Sequence, residues 1–328
     1  MRLRRTSGPG RAALAVAAAA ALAAPLLTAQ PASAAPRPAL SVLTTNTMLL
    51  PSFVSDSWAQ NKRGELIGDA PYLKGHDVVV FQELFDNSGS ANVTFRAMLN
   101  GYPHQTPVIG RSKSGWDRTS GDYKAFAPED GGVAIASKWP ITHRAQHIYD
   151  RACGSDALSE KGFAYARLSV GGSPVHVFGT HLQADDGGCD LGEARSIRAS
   201  QLLELRNYVN SLNLPLNQPV IYAGDFNIDR AGSEYQTLLT RTYSGGPFFE
   251  GAPYTMDPVT NSVARKRYPK EPRQWLDYVI YDGRHNRPLI QKNQAITPTS
   301  PPWSADGELY NHYSDHYPVV SRDSGSSS

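Results

Sequence analysis

The sequence predicts an α/β fold in which two packed, mixed β-sheets are flanked by helices. Short apolar runs alternate with longer polar connections, and runs with strand character outnumber those with helical spacing. One run, DVVVFQE at residues 77–83, is apolar on both faces. Both faces of that strand must be covered, and a second sheet and outer helices provide the cover.

Each element is assigned from its apolar spacing. Strands are predicted at residues 40–45, 77–83, 132–137, 162–170, 174–180, 220–223, 276–281 and 316–320. Helices are predicted at residues 58–73 and 193–212; in the second, Leu202, Leu205 and Val209 share one stripe. Pro318 indicates that the last strand is an edge strand, because proline cannot donate to a ladder.

The first 34 residues have the pattern of a secretory signal peptide. Four arginines precede an Ala/Leu-rich stretch at residues 12–29, and Ala32-Ser33-Ala34 forms an A-x-A cleavage site. A membrane anchor is the alternative, although Pro25 interrupts the stretch. We therefore expect a secreted, extracellular protein that is cleaved after Ala34.

The rest of the chain is predicted to form a single catalytic domain at residues 35–320, with a disordered tail at residues 321–328 (SRDSGSSS). The full chain has a formal charge of +2, and the four arginines of the signal peptide, which holds no acid, leave the mature chain near −2. That charge argues against a general polyanion binder, so no nucleic-acid partner is expected. The expected state is a monomer.

The chain contains two cysteines, Cys153 and Cys189. In an exported protein a lone pair is expected to form a disulfide, and two free thiols are the alternative. No C-x-x-C spacing supports a metal site at this pair.

Polar side chains stand at the ends or starts of six predicted strands. They are Asn46, Glu83 in QE, His181 in TH, Asp225 and Asn227 in GDFN, Asp277 in LDY, and Asp315 and His316 in SDH. A single polar residue at the end of a strand is usually part of a turn or a cap. Six together are not explained by turn chemistry.

The residue types indicate a phosphodiesterase-like site. Asp225 and Asn227 are two residues apart and can point to the same side of a strand. With Glu83 they offer hard oxygen donors that suit Mg²⁺, with Mn²⁺ or Ca²⁺ as alternatives. His181 and His316 are interpreted as proton carriers, and Asp315 as the residue that orients His316. Neither a G-x-S-x-G motif nor a P-loop is present.

These motifs resemble the endonuclease/exonuclease/phosphatase superfamily, which has the DNase I-like fold. The stretches EDGGVAIASKWPI (129–141), KGFAYA (161–166) and FDNSGS (85–90) resemble the secreted bacterial neutral sphingomyelinases, which are Mg²⁺-dependent. The likeness covers residues 40–320. It implies a four-layer sandwich with the site at one end of the paired sheets, and a disulfide between the two cysteines.

The resemblance also implies roles for these residues. Glu83 would bind Mg²⁺ directly with Asn46 close by, and Mn²⁺ or Co²⁺ would be substitutes. Asp225 and Asn227 would hold the water, the phosphate or a second metal. His316 would be the general base and His181 would act on the leaving side, although the two roles could be exchanged. Asp277 would support His181 or the phosphate.

Two further features follow from the resemblance. A peripheral metal site would comprise the Phe85 carbonyl, Asn87, Glu129 and Asp130; a polar loop cluster is the alternative. The family presents an aromatic hairpin to the membrane before the SDH motif, and here the corresponding segment is short and lacks a Trp-Phe tip. Trp303 is the candidate membrane contact in this segment, and packing against the body is the alternative.

The predicted function is hydrolysis of membrane sphingomyelin, at the lipid–water interface, to ceramide and phosphocholine. The alternatives are a phospholipase C for glycerophospholipids, a secreted nuclease on the same fold, and a membrane-binding module without enzyme activity. The basic run Arg265-Lys266-Arg267, with Lys270 and Arg273, is interpreted as a solvated loop rather than a nucleic-acid groove.

Overall fold

Two β-sheets form the centre of the protein, and helices cover their outer faces. The structure, a computed structural model, describes residues 38–51 and 58–323. The strands are β1 (Leu40–Leu49), β2 (Val78–Leu84), β3 (His104–Gln105), β4 (Arg118–Gly121), β5 (Ala134–Ser137), β6 (Ile141–Ile148), β7 (Gly162–Val170), β8 (Ser173–His181), β9 (Val220–Asp225), β10 (Phe248–Gly251), β11 (Asp277–Tyr281), β12 (Lys292–Ala295), β13 (Trp303–Ala305), β14 (Glu308–Tyr310) and β15 (Val319–Asp323). The helices are α1 (Gln60–Gly68), α2 (Asn87–Leu99), α3 (Leu191–Ser211), α4 (Tyr235–Arg241) and α5 (Ser262–Arg267).

Both sheets are mixed. The first has the strand order β10-β12-β15-β1-β2-β5-β3, and the second has the order β11-β9-β8-β7-β6-β4. The pairs β1–β2 and β8–β9 are parallel, whereas β1–β15 and β7–β8 are antiparallel. Strands β13 and β14 form a separate antiparallel hairpin.

The layers follow from where the apolar side chains lie. Val42 and Val80 of the first sheet share one buried cluster with Val177 and Ile221 of the second, so the two sheets pack face to face. Helices α1 and α2 cover the outer face of the first sheet, and α3 and α4 cover the outer face of the second. This order of helix, sheet, sheet and helix confirms the predicted four-layer sandwich.

Helix α2 was not predicted from the sequence, because its first turns (NSGSAN) are rich in residues with low helix propensity. Its start is stabilised by Asp86, whose carboxylate accepts a hydrogen bond from the Gly89 amide at 2.6 Å. The backbones of α1 and α2 approach closely where Gly64 meets Gly89, and a Cβ at Gly64 would lie 2.3 Å from the Gly89 carbonyl oxygen. Glycine therefore permits this crossing.

Strand direction brings the polar strand ends together. In the parallel pairs, Asn46 lies beside Gln82, next to Glu83, and His181 lies beside Asp225. Strand β11 runs antiparallel to β9, so its first residue, Asp277, is also opposite Asp225. We call this side of the molecule the carboxyl edge: it is where β1, β2, β8 and β9 end and where β11 begins.

The last strand differs from the sequence prediction in three respects. β15 begins at Val319, so His316 and Pro318 precede it. It pairs with both β12 and β1 and is not an edge strand; Pro318 is accommodated because it stands before the ladder. Residues 321–323 continue the strand instead of starting the tail, since Asp323 pairs with Leu40.

The predicted signal peptide, residues 1–34, and the end of the predicted tail, residues 324–328, lie outside the described residues. Within residues 38–51 and 58–323, every helix is too short or too polar to cross a membrane.

Cys153 and Cys189 form a disulfide, as predicted. The bond connects the turn before β7 to the segment that leads into α3. The amide of Cys153 donates to the side-chain oxygen of Gln183 at 2.9 Å, and the Gln183 side chain donates to the Cys153 carbonyl at 3.2 Å. The bond therefore lies next to the chain that immediately follows His181.

Replacing both cysteines by serine is expected to lower the free energy of unfolding by about 3–4 kcal/mol, because the cross-link restricts the unfolded chain. Chemical denaturation of the oxidised protein and of the double variant measures this difference. The wild type with its disulfide reduced is the control and is expected to match the variant. Equal midpoints for oxidised and reduced protein would contradict the prediction.

Candidate active site

Six of the predicted side chains meet at the carboxyl edge: Asn46, Glu83, His181, Asp225, Asp277 and His316. Ligand atoms of Glu83, His181 and Asp225 lie within 4.8 Å of one another, and so do those of Asp225, Asp277 and His316. Asp225 belongs to both groups and is 1% exposed. The pattern of polar strand ends thus corresponds to one cluster in space.

Asn46 joins the two sheets at this cluster. Its side-chain NH₂ donates to Glu83 Oε1 at 2.8 Å and to Asp225 Oδ2 at 3.1 Å. Its oxygen accepts from the Met48 amide at 3.0 Å, which fixes the orientation of the amide. In this geometry Asn46 holds the carboxylates of Glu83 and Asp225 towards each other, and Glu83 is the residue predicted to bind the metal.

Glu83 is held in an uncommon backbone conformation, with φ at +56° near the end of β2. Residues other than glycine rarely adopt this backbone region, and those that do cluster at functional sites. Burial raises the pKa of Glu83, and repulsion from Asp315 raises it further. A carboxylate in that position would be stabilised by a bound cation.

Asp225 and Asn227 occupy different positions, although their spacing predicted a common direction. Asp225 is the last residue of β9, whereas Asn227 lies beyond the strand with φ at +50°. The Asn227 amide donates to Asp225 Oδ1 at 2.9 Å, and its side-chain nitrogen donates to the Leu182 carbonyl at 3.0 Å. Burial raises the pKa of Asp225 to about 7, with a further contribution from Asp277.

His316 is oriented by Asp277. Its Nδ1 lies 2.8 Å from Asp277 Oδ2 and 3.7 Å from Asp225 Oδ2, and its side chain is 9% exposed. Burial lowers the pKa of His316, but attraction to Asp277 and then to Asp225 outweighs it and raises the pKa well above its ordinary value. With Nδ1–H donated to Asp277, Nε2 is the nitrogen that can accept a proton.

The prediction that Asp315 orients His316 is not supported by these contacts. Asp315 accepts instead from the Ser314 hydroxyl at 3.1 Å and lies 3.5 Å from Arg267 Nε. Adjacent residues of an extended segment point to opposite sides, so the neighbour of His316 faces away from its ring. Asp277, which was expected to support His181 or the phosphate, orients His316 instead.

His181 has the opposite electrostatic environment. Its Nε2 lies 3.3 Å from Lys161 Nζ, and Lys161 also donates to Asp156 at 2.7 Å and to the Leu182 carbonyl at 3.2 Å. Burial lowers the pKa of His181 well below its ordinary value, and the positive charges of Lys161 and His316 lower it further. His181 is therefore neutral, and Nε2 accepts from Lys161.

The other ring nitrogen of His181, Nδ1, is buried and has no hydrogen-bond partner among the described residues. If Nε2 accepts from Lys161, Nδ1 carries the proton. A buried donor without a partner is costly unless a ligand or water satisfies it. Nδ1–H is consequently a buried donor that a water or a ligand would have to satisfy.

Sequence reasoning missed two cations near the site. Lys161 opens the motif KGFAYA, and a buried lysine beside one acid and a histidine has no distinct sequence signature. Arg267 was assigned to a solvated basic loop, whereas it ends α5 with its guanidinium 5.6 Å from the ring centre of Trp58 and 5.1 Å from that of Tyr268. Aromatic contacts of this kind stabilise a partly buried arginine.

The donor set at the carboxyl edge suits a hard divalent cation. Glu83 and Asp225 offer carboxylate oxygens, and burial, together with repulsion from a neighbouring acid, raises the pKa of each. Mg²⁺ prefers such ligands, whereas zinc favours several His or Cys ligands. The residues present therefore fit Mg²⁺.

The four residues of the predicted peripheral site lie around the end of β2. The Leu84 amide donates to the Gly132 carbonyl at 2.9 Å, which places Glu129 and Asp130 near Phe85 and Asn87. Burial raises the pKa of Glu129 to about 7 and that of Asp130 to about 6. Arg111 already lies 2.6 Å from Asp130. The peripheral metal site remains a prediction.

Trp303 does not face solvent, so the membrane contact predicted there is not supported. It is 3% exposed, stacks on Tyr310 with ring centres 4.7 Å apart, and contacts the edge of Trp58. Its indole nitrogen donates to the His312 carbonyl at 2.9 Å, and the Arg63 guanidinium lies 5.1 Å from its ring centre. Trp303 anchors the β13–β14 hairpin to the body.

Trp303→Ala is expected to lower the free energy of unfolding by about 3–5 kcal/mol, since it leaves a large cavity in a buried aromatic cluster. Thermal denaturation measures the loss, and Leu309→Ala on the same hairpin, at a side chain that is 75% exposed, is the matched control. The loss of activity should be the same for soluble and lipid substrates. A selective loss on vesicles with unchanged melting temperature would restore the membrane role.

Comparison with known proteins agrees with this geometry. The Endonuclease/Exonuclease/phosphatase family matches residues 58–316. Sphingomyelinase C of Bacillus cereus is 39% identical over 292 residues, which cover 86% of this chain and 87% of the relative. Sphingomyelinase C of Listeria ivanovii is 40% identical over 284 residues, which cover 85% of this chain and 84% of the relative. The chain belongs to the endonuclease/exonuclease/phosphatase family.

Solved structures place it more narrowly within that family. Sphingomyelinase C from Streptomyces griseocarneus superposes with a TM-score of 0.84 at 43% identity, covering 87% of this chain and 99% of that one. A mutant beta toxin from Staphylococcus aureus, solved with bound magnesium ions, superposes with a TM-score of 0.85 at 38% identity. The match covers 87% of this chain and 100% of that one. Within the family, the chain is a member of the bacterial sphingomyelinase C group.

Proposed function

We propose that this protein is an exported, Mg²⁺-dependent phosphodiesterase that hydrolyses sphingomyelin to ceramide and phosphocholine. The observation that carries the proposal is the pair of histidines on either side of Asp225, one oriented by a carboxylate and one by an ammonium group. Such a pair can handle a proton on one side of a phosphate and donate a hydrogen bond on the other. The names of the relatives supply the substrate.

In this mechanism His316 is the general base in its neutral form; Asp277 and Asp225 raise the pKa of its ring, and a cation held by Glu83 and Asp225 would oppose that rise. Asp277 holds Nδ1–H, so Nε2 accepts a proton from the water that attacks phosphorus. His181, kept neutral by burial and by the charge of Lys161, donates a hydrogen bond from Nδ1–H to a phosphate or leaving-group oxygen. Water adds across the bond between phosphorus and the ceramide oxygen: its hydroxyl goes to phosphorus, His316 takes its proton, and that proton passes through solvent to the ceramide oxygen.

Glu83 and Asp225, oriented by Asn46, are the residues that would hold Mg²⁺. The ion would supply positive charge to the phosphate oxygens, where negative charge accumulates in the transition state. Asn227 lies at the rim of this group and, through its contact with the Leu182 carbonyl, stabilises the chain after His181.

The nuclease alternative is disfavoured because three of the five cations of the basic run near α5 are already paired with acids. Lys266 contacts Glu308 at 2.5 Å, Arg273 contacts Asp257 at 2.7 Å, and Arg267 lies beside Asp315. Arg265 donates to the Val259 carbonyl at 2.9 Å. A nucleic-acid groove needs unpaired cations along its length.

A substrate panel tests the proposal. The purified protein is given sphingomyelin, phosphatidylcholine, phosphatidylethanolamine and plasmid DNA, each with Mg²⁺ and with EDTA, and phosphocholine or DNA nicking is measured. We expect hydrolysis of sphingomyelin that EDTA abolishes and Mg²⁺ restores. Stronger hydrolysis of a glycerophospholipid or of DNA would assign the site to one of the alternatives.

Metal identity, export and oligomeric state are parts of the proposal with their own measurements. Restoring the EDTA-treated enzyme with Mn²⁺ or Co²⁺ tests whether these ions substitute for Mg²⁺. N-terminal sequencing of protein from the culture medium tests export and cleavage after Ala34. Light scattering tests the monomer.

A further inference from the structure

A fully exposed aromatic residue stands on a loop at the carboxyl edge. Phe126 is 98% exposed and belongs to the segment that follows β4. Gly121, the last residue of β4, pairs in parallel with Ile148, the last residue of β6. The chain therefore leaves both strands at the same edge, and the loop carrying Phe126 lies on the side of the molecule where the catalytic strands end.

A second apolar side chain projects from the neighbouring loop. Leu158 is 50% exposed and lies in the turn before β7. The Glu129 amide donates to the Leu158 carbonyl at 3.2 Å, and the Glu160 amide donates to the Glu129 carbonyl at 3.1 Å. The two loops thus run side by side, with a shallow depression of about 350 Å³ between them.

This pair of loops is directly connected to the active site. Asp156, two residues before Leu158, bonds Lys161, and Lys161 bonds His181. On the other side, the loop that carries Phe126 continues to Gly132, which bonds the backbone of β2 next to Glu83. The two loops that carry Phe126 and Leu158 consequently border the active site.

We propose that Phe126 and Leu158 form a lipid-docking surface, through which the carboxyl edge inserts into the head-group region of a bilayer. The inference rests on the proposed function: a site that cleaves a membrane lipid must turn this edge to the bilayer, so its rim meets the lipid. Aromatic side chains are suited to the membrane–water interface, where exposed apolar surface becomes buried. Trp303 and Tyr310 of the β13–β14 hairpin are buried. Among the large apolar side chains described in this hairpin, Leu309 is the one that is exposed.

The chain provides a matched control at the opposite end. Leu289 is 99% exposed and follows β11, whose last residue, Tyr281, pairs with Ile221 near the start of β9. Leu289 is therefore as exposed as Phe126 but lies away from the carboxyl edge. A bilayer that meets the active site does not reach it.

The test compares wild type, the double variant Phe126→Ser with Leu158→Ser, and Leu289→Ser. Co-sedimentation with vesicles of sphingomyelin, phosphatidylcholine and cholesterol is measured in EDTA, which prevents turnover. The double variant is expected to need about 10-fold more lipid for half-maximal binding, since it loses two apolar contacts with the bilayer. Leu289→Ser should bind like wild type, and all three should share one melting temperature.

Initial rates with Mg²⁺ give a second measurement. On vesicles, the double variant should show a raised half-saturating lipid concentration with little change in the rate at saturation. On a short, water-soluble phosphocholine diester it should equal wild type. Equal vesicle binding by wild type and double variant would overturn the docking surface, even if the enzyme hydrolyses sphingomyelin; absence of sphingomyelin hydrolysis by wild type would overturn the proposed function instead, and binding in EDTA would still decide the docking surface.

Discussion

Glu83→Gln is expected to lower kcat by about 10³-fold while the fold is retained, because the variant keeps the shape of the side chain and loses the charge that would hold the cation. The Asn46 side chain, which now donates to Glu83 Oε1, can still meet an amide oxygen at that position. Hydrolysis at increasing Mg²⁺ concentrations measures the effect, and calorimetric titration with Mg²⁺ measures binding directly. Binding should weaken in parallel with kcat.

Glu65→Gln is the control for this substitution. Glu65 lies on α1 with its side chain 35% exposed and forms a surface pair with Lys62. The Glu65→Gln variant should leave both turnover and Mg²⁺ binding unchanged. Turnover of Glu83→Gln near the wild-type value at saturating Mg²⁺ would remove Glu83 from the metal site.

His316→Ala is expected to lower kcat by about 10²–10⁴-fold, the range typical of a lost general base. Two further variants separate its neighbours. Asp277→Asn should also lose much of the rate, because Asp277 fixes the Nδ1 proton of His316 at 2.8 Å. Asp315→Asn should lose less, since the described contacts of Asp315 are with Ser314 and Arg267.

His143→Ala is the control for His316→Ala, because His143 lies on β6 with its side chain 36% exposed. It should leave the rate at the wild-type value. A His316→Ala enzyme with half its activity would exclude the base. A larger loss for Asp315→Asn than for Asp277→Asn would return the orienting role to Asp315.

The positions of the active-site residues could be predicted from the sequence because strand ends obey a simple rule. Polar residues recur at the ends or starts of six predicted strands, and in the structure the parallel pairs β1–β2 and β8–β9 bring four of these ends to one edge. The rule depends only on recognising where each strand begins and ends. It gives the cluster without the hydrogen bonds inside it.

Those hydrogen bonds depend on side-chain direction, which the sequence does not contain. His316 stands outside a regular strand, so proximity along the chain favoured Asp315, whereas the ring turns towards Asp277 at the start of β11. Trp303 was similarly misplaced because two of its partners, Trp58 and Arg63, come from a distant part of the chain. Likewise, Pro318 suggested an edge strand, although the ladder starts one residue later.

The position of the disulfide has a consequence for when the enzyme becomes active. Cys153 and Gln183 hold each other through two hydrogen bonds, and Gln183 is two residues beyond His181. Without the bond, the segment after His181 loses part of its support. On the proposed export route, we therefore expect full turnover only after the chain has reached an oxidising compartment and the disulfide has formed.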